Sequence, residues 1–257
     1  MYWSRIRGSA VHGAAARDRP RAVGVASRHT GERTSKKMAR RTREEALVTR
    51  EQLLDAAERV FRERGVGHTS LAEVADAAGV TRGAIYWHFR SKAELFKAMV
   101  ERAEMPMDAA LEQLADGALE DPLGQARDLA VRALLHLATS ERTRAVFDVV
   151  FLRCEYTEDL LPVQQQHLRE RQLCIEKCAA AFRLAVNRGQ LPADTDTGLA
   201  ARGLYAFVGG LMRDAVESPR DYDLAASAPP LIDLFFEGLR RNPPRKARRT
   251  TRPKKAA

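Results

Sequence analysis

The sequence predicts an all-α protein, a three-helix N-terminal unit followed by a larger helical domain, and three observations carry that reading. Apolar residues recur at helical spacing along most of the chain, separated by Pro-, Gly- and Asp-rich breaks, and no convincing strand pattern interrupts them. Three capping boxes, Thr42 with Glu45, Ser70 with Glu73 and Ser91 with Glu94, mark helix starts close together in the N-terminal part. Finally, the stretch Ser70 to Phe89, SLAEVADAAGVTRGAIYWHF, spells two short helices joined by a tight turn.

Residues 1–37 are rich in Arg, Ala, Gly and Ser without apolar periodicity, so they cannot offset the entropy of ordering and are expected to have no fold. Met38 reads as a natural start, which would make that stretch an upstream extension; a true basic arm is the alternative. The first helix is expected from the Thr42 box onward, with Leu53, Leu54, Ala57, Val60 and Phe61 as its buried stripe. Ser70 starts the second helix on Val74, Ala75 and Ala78, Gly79 supplies a positive φ, and Thr81 caps the third. On that third helix Val80 and Ile85 turn to the core, leaving Arg82, Gly83, Ala84, Tyr86, Trp87 and His88 for a partner surface. Such a helix fits a DNA major groove.

The Ser91 box launches a linking helix through Leu95, Phe96, Met99 and Val100. Further helices are expected over 122–139, 141–154, 163–187, 195–217 and 230–241, and a basic tail without a fold from Asn242. The domain boundaries read 1–37, 38–92, 93–241 and 242–257.

The net charge of +9 divides unevenly. Residues 38–92 carry ten basic and eight acidic side chains, whereas residues 93–240 carry sixteen and twenty-four, so the excess positive charge sits in the two ends. Only the N-terminal part of the folded chain suits a polyanion. No apolar run is long enough to span a bilayer and no secretory signal opens the chain, so a cytoplasmic protein without membrane contact is expected. Cys154, Cys174 and Cys178 cannot all pair, and neither a metal site nor a cofactor is expected. Cys174 and Cys178 share a helical face, as buried thiols or, alternatively, as an oxidation sensor.

GVTRGAIYWHF at Gly79 to Phe89, together with the run from Met38, resembles the TetR family of transcriptional regulators. DPL at Asp121, FLRCEY at Phe151, Gln164 with Gln165, and LPAD at Leu191 look like that family's acriflavine-resistance repressor branch, and the resemblance covers residues 38–240. It implies a homodimeric repressor of a multidrug efflux operon that binds a palindromic double-stranded operator and is released by a lipophilic or cationic small molecule. It places Thr81, Arg82, Gly83 and Ala84 in the major groove and Tyr86, His88 and Lys92 on phosphates. The side-chain chemistry agrees: Arg82 matches guanine O6 and N7, Gly83 and Ala84 permit close approach, and Lys92 adds charge at a helix N-terminus.

Trp87 either joins that surface or packs in the core or a dimer interface. Ser70 and Thr69 are further phosphate candidates, although a helix cap accounts for Ser70. Arg40 and Arg43 follow the DNA backbone as an arm or are simply solvated. For the ligand, the resemblance places a pocket acid at Glu104, with Glu155 a second acid beside the aromatic residues. Phe147, Phe151 and Cys154 share one helical face and either line the pocket or pack as ordinary core. The last two helices, with Gly209 and Gly210, resemble the family's four-helix dimer interface.

Other readings remain at this stage: regulation of lipid or other metabolism with a different ligand, a thiol hydrolase using Cys154 with Glu155 and His167, or a non-specific DNA-compacting protein. The acidic C-terminal domain opposes the last. Arg82→Ala is expected to cost about 1–3 kcal/mol at one operator base position, measured by comparing operator variants with random DNA; equal loss on both removes Arg82 from sequence reading.

Overall fold

The computed structural model describes residues 29–103, 108–114, 120–155 and 157–246, with the side chains of residues 29–43, 108–109 and 112 excepted. Ten α-helices are assigned among them: α1 His29–Arg64, α2 Leu71–Ala77, α3 Arg82–His88, α4 Lys92–Glu101, α5 Asp108–Leu114, α6 Pro122–Thr139, α7 Glu141–Asp148, α8 Leu161–Asn187, α9 Thr197–Glu217 and α10 Leu224–Arg241. Among the described residues there is no strand beyond an isolated bridge between Thr195 and Arg245, and no helix is long and apolar enough to cross a membrane.

The local signals of the N-terminal unit act as chemistry demands. Ser70 Oγ accepts from the Glu73 amide at 3.3 Å while Glu73 Oε2 accepts from the Ser70 amide at 2.8 Å, which satisfies two orphan donors at the start of α2. Gly79 adopts φ 69°, and an added Cβ would meet nothing there, so backbone conformation alone demands the glycine. Thr81 Oγ1 accepts from the Ala84 amide to start α3. The Ser91 box closes differently: Ser91 Oγ accepts from Glu94, but Glu94 Oε2 takes the amide of Arg90, one residue earlier.

Five expectations are corrected. α1 begins at His29, so residues 29–37 form helix instead of unfolded chain, and Thr42 lies inside the helix instead of at its start. Glu32, Arg33, Lys36, Lys37, Met38 and Ala39 are good helix formers that let α1 extend backwards. The helix expected to run from Glu141 to Cys154 stops at Asp148, continues as a π-type turn over Val149–Arg153, and ends with Cys154 extended. α10 starts at Leu224, where Asp223 accepts from the amides of Ala225 and Ala226, so Pro229 and Pro230 fall within the helix rather than opening it. α5 had no sequence signal strong enough to be read. Residues 242–246 are held: the Asp196 amide donates to Pro244 O at 2.7 Å, the Lys246 amide to Asp194 O at 2.9 Å, Arg245 pairs with the Asp194 carboxylate, and Pro243 is buried.

Two apolar cores result. One is built on Phe147, Phe182, Leu204 and Phe236 and holds α5, α6, α8, α9 and α10 together. The other gathers Leu53, Phe61, Val74, Ile85, Phe89 and Phe96, then continues without a break into Val146, Val149, Val150 and Leu160. Packing therefore does not divide at residue 92. The α4 side chains Leu95, Phe96 and Met99 belong to the N-terminal core, and Phe151 packs against both cores at once.

Candidate nucleic-acid interface and its junction with the C-terminal domain

Ile85, fully buried, pins α3 against the N-terminal core and thereby fixes which face looks outward. That face carries exposed Thr81, Arg82 and Gly83 with half-buried Ala84. Tyr86 and Trp87 stand 57% and 73% exposed, which removes core packing as the explanation of either ring. Trp87 meets His88 edge-on at 4.6 Å. Burial and the nearby Arg50 push the His88 pKa below its ordinary value, so at neutral pH its ring is uncharged and offers a hydrogen bond rather than a positive charge. An added Cβ at Gly83 would approach only Thr81 Oγ1, at 3.9 Å. Folding therefore does not require glycine at that position.

Other predicted contacts stand elsewhere. The Ser70 hydroxyl is occupied within its own cap, accepting from the Glu73 amide and donating to Glu73 Oε2. Thr69 is buried and donates to Gly65 O at 2.8 Å, which withdraws it from any phosphate. Lys92 has a side chain only 14% exposed; its Nζ donates to Gly67 O at 3.4 Å and lies 3.1 Å from Asp159 Oδ2. The side chains of Arg40 and Arg43 lie outside the described residues.

The loop between α1 and α2 docks on the segment that follows α7. The Val66 amide donates to Arg153 O at 2.9 Å, and Gly65, at φ 83°, brings the chain close enough that a Cβ would sit 3.5 Å from the same oxygen. Beside it α1 and α4 are joined by Arg102, which pairs with Glu51 at 3.4 Å and with Asp55, while Arg62 reaches Asp148 on α7 at 3.2 Å. Asp159 accepts a hydrogen bond from the Thr157 hydroxyl, which with Lys92 holds its carboxyl below the usual range.

The expected ligand face does not survive intact. Phe147 is buried in the C-terminal core with its ring 5.2 Å from that of Phe151, whereas Cys154 packs against the N-terminal core, because the π-type turn between them breaks the helical spacing. Glu155 is exposed and lies against the α1–α2 loop, its Oε2 3.6 Å from where a Gly67 Cβ would be. Glu104 falls outside the described residues. Burial raises the Cys154 thiol to about 11, the opposite of what a thiol nucleophile needs.

The inner helices bring Arg171 and Tyr205 together with His167, which the sequence offered only as a distant partner of Cys154. Arg171 stacks over the Tyr205 ring at 5.5 Å, and one turn earlier burial, with Arg171 beside it, depresses the His167 pKa to about 4. A cleft of about 270 Å³ between α6, α7, α9 and α10 is lined by Leu137, Arg144, Tyr222 and Leu224, with none of the predicted ligand residues among them. On α9 and α10 the rings of Phe207 and Phe235 stack at 5.7 Å, and Leu234, beside Phe235 in the chain, is 68% exposed. Those residues leave apolar surface on the two helices whose resemblance to the family implies a dimer contact.

A capped helix-turn-helix with an outward polar and aromatic face, joined to a separate helical core, defines a DNA-binding regulator. Residues 53–99 match the family described as bacterial regulatory proteins, tetR family, and residues 121–240 match the C-terminal region of MAATS-type transcriptional repressors. The HTH-type transcriptional regulator TtgR of Pseudomonas putida is 39% identical over 206 residues, 80% of this chain and 98% of its own. AcrR of Shigella flexneri is 36% identical over 203 residues, 78% of this chain and 93% of its own. The crystal structure of NalD, the secondary repressor of the MexAB-OprM multidrug efflux pump in Pseudomonas aeruginosa, superposes with a TM-score of 0.69 at 38% identity, over 76% of this chain and 97% of that one. The chain belongs to the TetR family of bacterial transcriptional regulators.

With Cys174 and Cys178 replaced by alanine, Cys154 is expected to react slowly with a maleimide at pH 8. A pKa of about 11 leaves roughly one thiol in a thousand ionised at that pH. The rate should climb about tenfold per pH unit toward pH 10, and a rate that levels off below pH 9 contradicts the burial argument.

Proposed function

We propose that this protein is a cytoplasmic homodimeric repressor of a multidrug efflux operon, released from a palindromic operator when a lipophilic or cationic small molecule enters the C-terminal domain. The observation that carries the proposal is likeness over nearly the whole length of relatives described as repressors of multidrug efflux pumps. NalD is one, and SmeT, repressor of the SmeDEF multidrug efflux pump of Stenotrophomonas maltophilia, is another at 33% identity. SmeT also has a structure described as a complex with triclosan, to which this chain is 34% identical with a TM-score of 0.64. Likeness to the fatty acid degradation regulator FadR of Bacillus halodurans, at 22% identity, speaks for the fold alone.

In this reading Thr81, Arg82, Gly83 and Ala84 read base edges, while Tyr86, Trp87 and His88 meet the DNA backbone, as their exposure allows. Arg40 and Arg43, which fall within α1, extend the backbone contact in this reading. The two-fold symmetry of a palindrome requires a partner copy, and the apolar surface around Phe207, Leu234 and Phe235 supplies a self-complementary face for it. Ligand release demands that the small molecule bind the DNA-free arrangement better than the DNA-bound one. Phe147 and Phe151 offer the aromatic wall nearest the junction, so a ligand against them would act directly on the segment that holds the α1–α2 loop.

Fluorescence anisotropy on the protein's own upstream DNA tests this, with triclosan and tetraphenylphosphonium as probes. At saturation one of them should weaken operator binding by roughly 5- to 150-fold. An operator affinity unchanged by both contradicts an efflux repressor of this ligand class.

A further inference from the structure

We propose that Thr143 is a positioning residue that fastens the end of α4 to the corner between α6 and α7, and that His136 donates the hydrogen bond that leaves the Thr143 hydroxyl free to do so. Its consequence for regulation rests on the ligand-release reading, whereas the bonding itself does not. Thr143 stands in the first turn of α7 and is 1% exposed. Its hydroxyl oxygen lies 2.8 Å from Ser140 Oγ, 3.1 Å from His136 Nε2 and 3.3 Å from Ala103 O. These partners come from the cap of α7, the last turn of α6 and the residue just past the end of α4. A hydroxyl has one proton and two lone pairs, so it donates to one of the three and accepts from the other two. Ala103 O can only accept, and among the described residues Thr143 is its one donor. Ser140 Oγ already accepts from the Thr143 amide at 3.2 Å, and its own proton can point at Thr143 Oγ1. The arrangement that satisfies every group therefore has Ser140 and His136 Nε2–H donating to Thr143, and Thr143 donating to Ala103 O. With a bare Nε2 the hydroxyl would face two acceptors with a single proton, and one of them would lose its donor where burial makes the loss costly.

The corner that presents Thr143 is itself firmly built. The Ser140 amide donates to His136 O at 3.0 Å, the Arg144 amide to Ser140 O at 3.0 Å, and the Arg144 guanidinium to Ala138 O. On the other side Arg102, the neighbour of Ala103, pairs with Glu51 and Asp55 of α1. The end of α4 is thus held from two directions, by the first helix of the DNA-binding unit and by the α6–α7 corner. Phe147 lies one turn beyond Thr143 on the same face of α7, with its ring against that of Phe151. A small molecule that repacks Phe147 shifts α7, and a close-packed interior passes that shift on. Apolar packing is non-directional and would let α7 slide past the end of α4, whereas a buried hydrogen bond fixes one register. Thr143 therefore carries the movement of α7 to Ala103, and α4 leads directly back to the DNA-reading helix α3.

Nitrogen NMR of the imidazole rings in the full-length wild type, without DNA or ligand, tests the proton assignment, with the His136 signals identified by their loss in His136→Gln. His136 Nε2 is expected to carry a proton; a bare Nε2 with the proton on Nδ1 overturns the bonding scheme. Amide exchange of Thr143→Val, again without DNA or ligand, tests the tie against α9 as the reference helix. Faster exchange in the last turn of α4 as well as the first turn of α7, restored by Thr143→Ser, supports it, and unchanged exchange at the end of α4 refutes it, because a residue that only serves α7 would disturb α7 alone. The regulatory role is read from the factor by which saturating triclosan or tetraphenylphosphonium weakens binding to upstream DNA. That factor should fall at least about twofold in Thr143→Val and keep its wild-type value in Thr143→Ser; a Thr143→Val protein with the wild-type factor overturns the coupling role. A wild type that neither probe releases counts against the proposed function, and the ring nitrogens and amide exchange then decide the tie without it.

Discussion

The structure depends on the contact between the α1–α2 loop and the segment after α7. There the Val66 amide donates to Arg153 O, Gly65 takes the positive φ that allows the approach, and Val146, Val149 and Val150 fill the base of the N-terminal core. Were the two halves separate globules joined by α4 alone, a small molecule in one could be sensed by the other only through a single helix. Instead the floor of the DNA-binding unit is made of side chains from the C-terminal domain. Phe151 faces both cores, so repacking around it cannot leave the N-terminal unit untouched.

The π-type turn over Val149–Arg153 makes this contact possible. Widening the helix by one residue per turn swings Phe151, Cys154 and Glu155 away from the face that continuous helical spacing would give them. Phe147 stays with the C-terminal core, Cys154 moves to the N-terminal core, and Glu155 reaches Gly67. Ion pairs flank the same seam, Arg62 with Asp148 on one side and Lys92 with Asp159 on the other. Each is modest alone because one partner is solvated, yet together they fix orientation where the apolar contact supplies most of the free energy.

What was legible in the sequence was local. The capping at Ser70 and Thr81, the positive φ of Gly79 and the burial of Ile85 depend on residues within a few positions of one another, and helices such as 122–139 begin and end where their own residues dictate. The same helical register put Tyr86 on the outer face, whereas Trp87 stayed open between that face and packing until its 73% exposure removed the core. What could not be read depends on contacts across the chain. Lys92 turns inward because Asp159 and Gly67 wait for it, Cys154 leaves Phe147 because Arg153 O bonds to Val66, and residues 242–246 are held because Asp194 meets Arg245. A one-dimensional pattern carries no record of such partners. The upstream part of α1 differs: its helix-forming residues were in view, and the lack of an apolar stripe outweighed them.

Amide hydrogen exchange across a denaturant series tests the shared core most directly, because it resolves whether parts of a protein open separately. If the N-terminal unit and the α7 segment are one cooperative body, the slowest amides of α1 and α4 share their opening free energy and denaturant dependence with those around Val146 to Val150. Exchange of α1 to α4 through an opening several kcal/mol below that of the α7 segment, with a smaller denaturant slope, would show that the DNA-binding unit unfolds on its own and contradict the account.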